Sequence, residues 1–318
     1  MATLLTITNL RKTYGPRVLL KNVNLSVQSE QKIGIVGRNG MGKSTLLALI
    51  TDREEYDRGN IAIHDGTRLG FLGQHDEFRD DETALDYVLR ISGKEAWRAG
   101  KLGAAFGLTE EYLRRKMIAL SGGYQMRVKV VGLFLQEPNL ILLDEPTNYL
   151  DVATQILLEK FLKTFRGSHL IISHDREFLK HTCTETIDVD QGEVVYYPGD
   201  VEEYFAYRAE VRMMQERYIK NIERERAHLQ EFVDRFRYKA SKAKQAQSKI
   251  KQIARLEKIE IGTPASNARI VIPRAPDKKG LALRAEDLSV GYGERIVASN
   301  ITFDIDRAEH VAILGENG

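Results

Sequence analysis

Leu120–Tyr124 reads LSGGY, Leu140–Asp151 reads LILLDEPTNYLD, and upstream of both Gly37–Ser44 reads GRNGMGKS. The order and spacing of these three stretches decide the fold. Gly37-x-x-x-x-Gly42-Lys43-Ser44 follows an apolar strand, Lys32–Val36, and opens an apolar helix, Thr45–Ile50, the setting a phosphate-binding loop requires. Its glycines let backbone N–H groups point at phosphate oxygens, and the helix N-terminus adds positive potential. The phosphate-binding set is therefore Gly37, Arg38, Asn39, Gly40, Met41, Gly42, Lys43, Ser44 and Thr45. Lys43 brings a point charge to the β/γ-phosphates, and the Ser44 hydroxyl ligates Mg²⁺.

Leu140–Glu145 is four apolar residues ending in two carboxylates, the pattern of a buried parallel strand whose C-terminal end meets a ligand. Asp144 is placed to hold Mg²⁺ through water, and Glu145 to polarise the attacking water. The plainer reading is a strand followed by a solvated acidic turn. Pro146 forces an exit from the strand and leaves Thr147–Asp151 as a loop. A second strand, Leu170–Ile172, delivers Ser173-His174-Asp175, where His174 reaches the γ-phosphate or is merely a surface histidine. Ser121-Gly122-Gly123 precedes a helix, Tyr124–Gln136, and forms a second anion site. One domain cannot aim both anion sites at the same phosphate, so two facing domains must sandwich each ATP.

GRNGMGKS, Gln74, LSGGY, LILLDEP, TNYLD and SHDREFL together resemble the nucleotide-binding domain of an ATP-binding cassette protein. More narrowly, EPTN-x-LD, SHDREFL and YYPGDVEEY resemble the ABC-F family, ATPases that act on the ribosome in the cytoplasm. The resemblance implies that Ser121, Gly122 and Gly123 form the signature loop and that Gln74 is the Q-loop residue, with a part in catalysis and at the metal. It likewise implies that Asp151 is the D-loop residue, His174 the H-loop residue, and Tyr14 the aromatic that stacks on adenine. Without the resemblance, Tyr14 is a half-buried tyrosine at a strand end. The implied cofactors are ATP and Mg²⁺.

The chain has 318 residues, a formal charge of +2, 42% hydrophobic and 29% charged residues, which reads as soluble and globular. No stretch approaches the roughly 18 apolar residues of a membrane span, and MATLLTITNL has no basic start with an apolar core and cleavage site. A single cysteine, Cys183, allows no intrachain disulfide and fits a reducing cytoplasm.

An internal repeat sets the organisation. Leu5–Gly40 aligns without a gap on Leu283–Gly318 at an offset of 278, with identities including Tyr14/Tyr292, Gly15/Gly293, Arg17/Arg295, Asn22/Asn300 and Gly37/Gly315. The second copy reaches GENG, so the expectation is a second cassette of which only the beginning is present. Residues 206–260 hold 15 Lys and Arg against 8 Asp and Glu, and Arg235–Arg255 has eight basic residues and no acidic one. Tyr207, Val211, Met214, Tyr218, Ile222, Leu229, Phe232 and Phe236 recur near helical spacing, as do Ala243, Ala246, Ile250, Ile253 and Leu256. The spacing predicts helices over 201–238 and 242–260 folded as an antiparallel hairpin, with a seam including Phe232, Ile250 and Ile253.

The fold class expected is thus α/β: a P-loop cassette domain with a helical subdomain over 1–200, and a basic α-helical hairpin over 201–262. A connector over 263–280 and a truncated start of a second cassette over 281–318 follow. Charge on a long helix is ordinarily a solvated face. Here RFRYKASKAKQAQSKIK (Arg235–Lys251) also resembles the interdomain linker of ABC-F proteins, which implies contact with the ribosome through tRNA and rRNA. Arg235, Arg237, Lys239, Lys242, Lys244, Lys249 and Lys251 are the candidate contacts. Two departures stand out: only 45 residues separate Gln74 from Leu120, so the arm many members insert there is missing, and Tyr149 stands where the family commonly has His. The alternatives are an ATPase subunit of a membrane transporter and a non-hydrolysing fragment that binds ATP or RNA. A second cassette or a homodimer mate is needed to complete each ATP site.

Overall fold

The computed structural model describes residues 2–73, 78–148, 150–236, 243–256, 280–293 and 295–313. Thr3–Tyr14 (β1) and Arg17–Gln28 (β2) pair as an antiparallel hairpin closed at Gly15, whose φ of 56° supplies the left-handed turn. Lys32–Val36 (β3) is short and buried, and leads through the glycine loop into Lys43–Ile50 (α1). Arg58–Ile63 (β4) adds to β1, giving a three-stranded antiparallel sheet in the order β2-β1-β4.

The chain then builds a small helical subdomain after Leu69–Leu72 (β5). It comprises Ala84–Ser92 (α2), Ala96–Ala105 (α3), Glu110–Arg114 (α4) and Gly122–Leu135 (α5). Local chemistry fixes their ends. Thr83 and Asp86 form a reciprocal capping box at the start of α2, and Gly93, at φ 63°, ends it.

Leu140–Asp144 (β6), Val152–Thr164 (α6), Ser168–Ile172 (β7), Arg176–Thr182 (α7), Glu185–Asp190 (β8) and Glu193–Tyr197 (β9) complete the main sheet. Its order is β5-β6-β7-β3-β8-β9; all neighbours are parallel except β9, which turns back on β8. Every residue of β6 and β7 is buried, as a parallel strand covered on both faces requires. A single cluster joins the two sheets, with Leu5, Leu20, Ile33, Leu46, Leu142 and Leu170 all fully buried.

Val201–Phe236 (α8) is a 36-residue helix. Its root is fixed by Asp200, whose carboxylate accepts from the N–H groups of Glu202 at 2.8 Å and Glu203 at 2.9 Å. Tyr204 is buried, and its hydroxyl donates to the Asp188 carboxylate on β8. The chain divides into two compact units, the first built mainly on the residues up to Tyr204 and the second mainly on Phe205–Val290. In the second, Leu229 and Val233 of α8 pack with Ile253 and Leu256 of Ala243–Leu256 (α9).

This seam differs from the one read in the sequence. Ile250 is 48% exposed, and Tyr207, Met214 and Tyr218 are exposed as well. Among the described residues, the packed part of the seam is Leu229 and Val233 of α8 against Ile253 and Leu256 of α9. Arg237, Lys239, Lys242 and residues 257–279, which include most of the connector, lie outside the described residues.

Leu281–Tyr292 (β10) and Arg295–Asp306 (β11) form a hairpin whose bounds are those of β1 and β2 displaced by the repeat offset. Its details repeat too. Asn9 and Asp287 have φ of 48° and 46°, and Gly15 and Gly293 have 56° and 59°. The N–H of Asn9 donates to Asn24 Oδ1 at 2.9 Å, and that of Asp287 to Thr302 Oγ1 at 3.1 Å. The repeat is thus present in the backbone as well as in the residues.

Tyr204→Phe deletes a buried hydrogen bond to a carboxylate, the stronger class of such bonds. It should lower the unfolding free energy of the first unit by about 1.5–3 kcal/mol, read as a lower urea midpoint with unchanged slope.

Candidate functional site

The sheet order brings three strand ends together. β7 lies between β3 and β6, so Ser173-His174 leaves the sheet between the glycine loop and the Asp144-Glu145 pair. The glycine loop approaches its neighbours closely. A Cβ on Gly37 (φ 142°) would lie 2.3 Å from the Val189 carbonyl oxygen, and one on Gly42 (φ 102°) 2.9 Å from Leu19 Cγ. The helix after the loop begins at Lys43, two residues before the sequence reading placed it.

Lys43 is buried and donates to the carbonyls of Gly37 at 2.8 Å and Arg38 at 3.2 Å. Burial pulls its amine below the ordinary lysine range, against the opposing charges of Glu145, Asp144 and Asp188. Asp144 is buried and pushed above the usual carboxylate range by desolvation, although the Ser44 hydroxyl and Lys43 work the other way. Its Oδ1 is buried and has no hydrogen-bond partner among the described residues. A hydroxyl beside a carboxylate with one spare oxygen fits Mg²⁺, which takes one or two protein oxygens and fills its octahedron with phosphate and water. Ser44 and Asp144 would hold the ion; Gln74, the third candidate, lies outside the described residues.

Glu145 is buried at φ 51°, an uncommon conformation for a residue with a side chain. Its N–H donates to Ile172 O at 2.9 Å, which ties it across to β7. Its Oε2 accepts from His174 N at 3.2 Å, and its Oε1 faces His174 Nε2 at 3.3 Å. Burial raises its pKa, assisted by the Asp144 charge and opposed by His174 and Lys43. The pair is one buried carboxylate and one exposed imidazole at a strand end, suited to orienting a water and handling its proton.

A cavity of about 550 Å³ collects these groups. Among its lining residues are Tyr14, Asn39, Gly40, Gly42, Lys43, Ser44, Thr45, Glu145 and His174. Tyr14 is 47% exposed at its mouth, with its hydroxyl on Glu54 and Lys12 Nζ 4.9 Å from its ring centre. Arg38 is exposed, while Met41 turns its side chain into the core and so offers the ligand only its backbone. Further lining residues not singled out in the sequence are Arg17, whose guanidinium donates to Gly40 O at 2.7 Å, Leu19 and Asn148. Arg17 was visible in principle, since the repeat pairs it with Arg295.

The signature residues lie elsewhere; Ser121, Gly122 and Gly123 are not among the residues lining the cavity. Ser121 is the N-cap of α5, which begins at Gly122 rather than Tyr124, and its Oγ is buried without a hydrogen-bond partner. Asp151 caps α6 and pairs with Arg127. Burial opposes its charge, but the bonds from Thr154 and Arg127 prevail and hold its pKa below the ordinary value. Of the basic hairpin residues, Arg235 and Lys251 are exposed and Lys249 is half-buried; the Lys244 side chain is outside the described residues.

A P-loop strand beside a histidine strand, which lies in turn beside a two-carboxylate strand, with a separate glycine-opened helix, defines an ATP-binding cassette. Family profiles described as ABC transporter match residues 20–148 and 187–270. The chain is 35% identical to the probable ATP-binding protein YheS of Escherichia coli, over 96% of this chain and 53% of that protein. It is 30% identical to the probable ATP-binding protein YbiT of the same species, over 99% and 67%, and 29% identical to human ATP-binding cassette sub-family F member 3, over 98% and 49%. The dimeric structure of a bacterial ABC transporter cassette matches with a TM-score of 0.53 and 27% identity, over 60% of this chain and 96% of that one. The chain belongs to the ABC-F family of ATP-binding cassette proteins. It spans about half the length of the first curated relatives it matches. Among the described residues, no helix is long and apolar enough to cross a membrane.

Because its folded pKa lies above the ordinary 4.5, Glu145 favours the folded state only when protonated. As pH rises from 4.5 through the raised value, the folded chain must give up a proton the unfolded chain has already lost, and stability falls. Glu145→Gln should therefore melt higher than wild type at neutral pH without nucleotide. The gap should close as pH drops to about 4.5, as followed by scanning calorimetry.

Proposed function

We propose that this protein binds and hydrolyses Mg·ATP and, as a cytoplasmic ABC-F protein, couples ATP-driven closure of paired cassettes to translation on the ribosome. The observation that carries the ATPase reading is the convergence of Lys43, Ser44, Glu145 and His174 on one cavity above the ends of β3, β6 and β7. Lys43 and the loop N–H groups hold the β/γ-phosphates, Ser44 and Asp144 hold Mg²⁺ with Gln74, and Tyr14 stacks on adenine. Mg²⁺ supplies charge neutralisation between the phosphates. Glu145 orients the attacking water, with His174 beside the γ-phosphate. A related cassette structure holds ADP and Pi.

The separation of Ser121 from this cavity supports a two-cassette site, in which a facing cassette brings its signature Ser and glycine N–H groups to the γ-phosphate. The functional parts we assign are cassette 1–200, hairpin 201–262, connector 263–280 and second-cassette start 281–318. The hairpin is the RNA-contacting part: its charge near the tip is all of one sign, and phosphate contacts need nothing more specific.

Lys43→Ala should weaken ATP binding by about 10- to 100-fold, the worth of a charged contact on phosphate. Unchanged affinity by calorimetry would remove the assignment. For the hairpin, binding of ribosomes should fall with salt at a log–log slope of roughly −0.7 to −0.9 per phosphate neutralised. Changing Lys239→Glu, Lys242→Glu and Lys244→Glu together should reduce both affinity and slope while ATP affinity stays. Equal co-sedimentation of both proteins across the salt series would refute the RNA role.

A further inference from the structure

One side chain outside the cavity joins the parts of the site. Gln155, on the first turn of α6, donates from Nε2 to Asp175 Oδ2 at 2.8 Å. Asp175 directly follows His174. Its Oδ1 caps α7 by accepting from Phe178 N at 3.1 Å, and its own N–H donates to Ser173 Oγ at 3.1 Å. His174 is 60% exposed at its side chain, so packing does little to place its ring. Its position is set instead by Glu145 on one side and by the anchoring of Ser173 and Asp175 on the other.

The same turn of α6 is held from its other end. Asp151 Oδ1 accepts from Thr154 N at 2.7 Å, and its Oδ2 takes the guanidinium of Arg127. Arg127 belongs to α5, the helix that opens at Ser121; its guanidinium lies 4.9 Å from the ring centre of Tyr124, which stacks on Tyr112 at 4.0 Å. Gln155 N donates to Asp151 O at 2.9 Å, so the two residues form one closed helical turn and share a face. An α-helical turn is stiff, and displacement of Asp151 carries Gln155 with it.

We propose that Gln155 is a positioning residue: with Arg127 it forms a strut, Arg127–Asp151–Gln155–Asp175, through which the signature helix α5 sets the placement of His174 against Glu145. Its consequence for turnover rests on the ATPase reading above; its geometry does not. When a facing cassette engages Ser121 and shifts α5, the strut transmits that shift to the imidazole in the same chain. Arg127 contributes a fork that a lysine cannot copy, and Gln155 an amide that neither alanine nor a carboxylate replaces opposite Asp175.

The chain has seven histidines, few enough to resolve with selectively ¹³C-labelled histidine in the nucleotide-free protein. The His174 signal is assigned by its loss in His174→Ala. Gln155→Ala and Arg127→Ala should each move that signal, and the double variant should move it no further than the larger single change, because both act along one path. His64, hydrogen-bonded to Thr6 on β1, should stay in place. An unmoved His174 in Gln155→Ala, or shifts that add in the double variant, overturns the strut. Should Arg127→Ala fold poorly, Arg127→Lys keeps the charge and loses the fork, and the expected shift is the same. In turnover, Gln155→Ala should lower kcat by about tenfold, as misplacement of a catalytic group does, with KM for ATP within about twofold since the phosphate loop is untouched. A raised KM at unchanged kcat also overturns the proposal. Wild type without any turnover would instead remove the ATPase reading and leave the histidine spectrum to decide the strut.

Discussion

The position of β7 between β3 and β6 is the constraint from which the rest of the site follows. Parallel pairing, Lys32 to His169 on one side and Leu140 to Ser168 on the other, leaves no freedom in where the three strands end. A slip of one residue would turn every core side chain to the opposite face. With both faces of β6 and β7 buried, that slip is prohibitive. The histidine consequently emerges between the lysine loop and the carboxylates, where its contacts with Glu145 and the anchoring of Asp175 have only its final placement to fix.

The site strains the fold that builds it. Among the described residues, the buried side-chain polar atoms lacking a hydrogen bond are Ser121 Oγ, Asp144 Oδ1, Glu145 Oε1 and His169 Nδ1. Three belong to the proposed nucleotide machinery, and an unsatisfied buried group costs about 1–3 kcal/mol. Glu145 adds a left-handed backbone and a desolvated charge. Such unmet demand is what a phosphate, a metal ion or a facing cassette can satisfy, so stability withheld from the free chain becomes binding energy. His169 is the exception. Burial beside Lys32 lowers its pKa to about 3, it donates to or accepts from nothing at Nδ1, and its Nε2 meets Thr182 O at 2.9 Å. It is a neutral packing residue.

The sequence disclosed the parts whose chemistry is local. The glycine loop, the LILLDE strand and the SHD turn each announce themselves by composition over a few residues; β3 has the bounds the sequence indicates, β6 ends one residue before Glu145, and β7 begins two residues earlier, at Ser168. The starts of α1 and α5 lie two residues before the sequence indicates: at α1 Lys43 and Ser44 read as part of the glycine loop, and at α5 Gly122–Gly123 are poor helix formers, yet the caps are Gly42 and Ser121. The hairpin seam was misjudged at Ile250 for a different reason. Helical periodicity marks a face but not its partner: of two residues three apart on that face, Ile253 is buried and Ile250 is not. Arg17 and Gln155 carry no local signal at all. Each is a common polar residue whose partner is remote in sequence, 23 positions away for Arg17 and Gly40, 20 for Gln155 and Asp175.

The root of α8 is tied to the strand that runs beside the glycine loop. Val36, the residue before the glycine loop, is paired in register with Asp188, and Gly37 already touches the Val189 carbonyl so closely that no Cβ fits. Asp188 in turn holds the hydroxyl of Tyr204, buried in the first turn of the helix that leads to Arg235. The strand beside the glycine loop is therefore held from both sides, by the close backbone approach of Gly37 and by the buried hydroxyl of Tyr204.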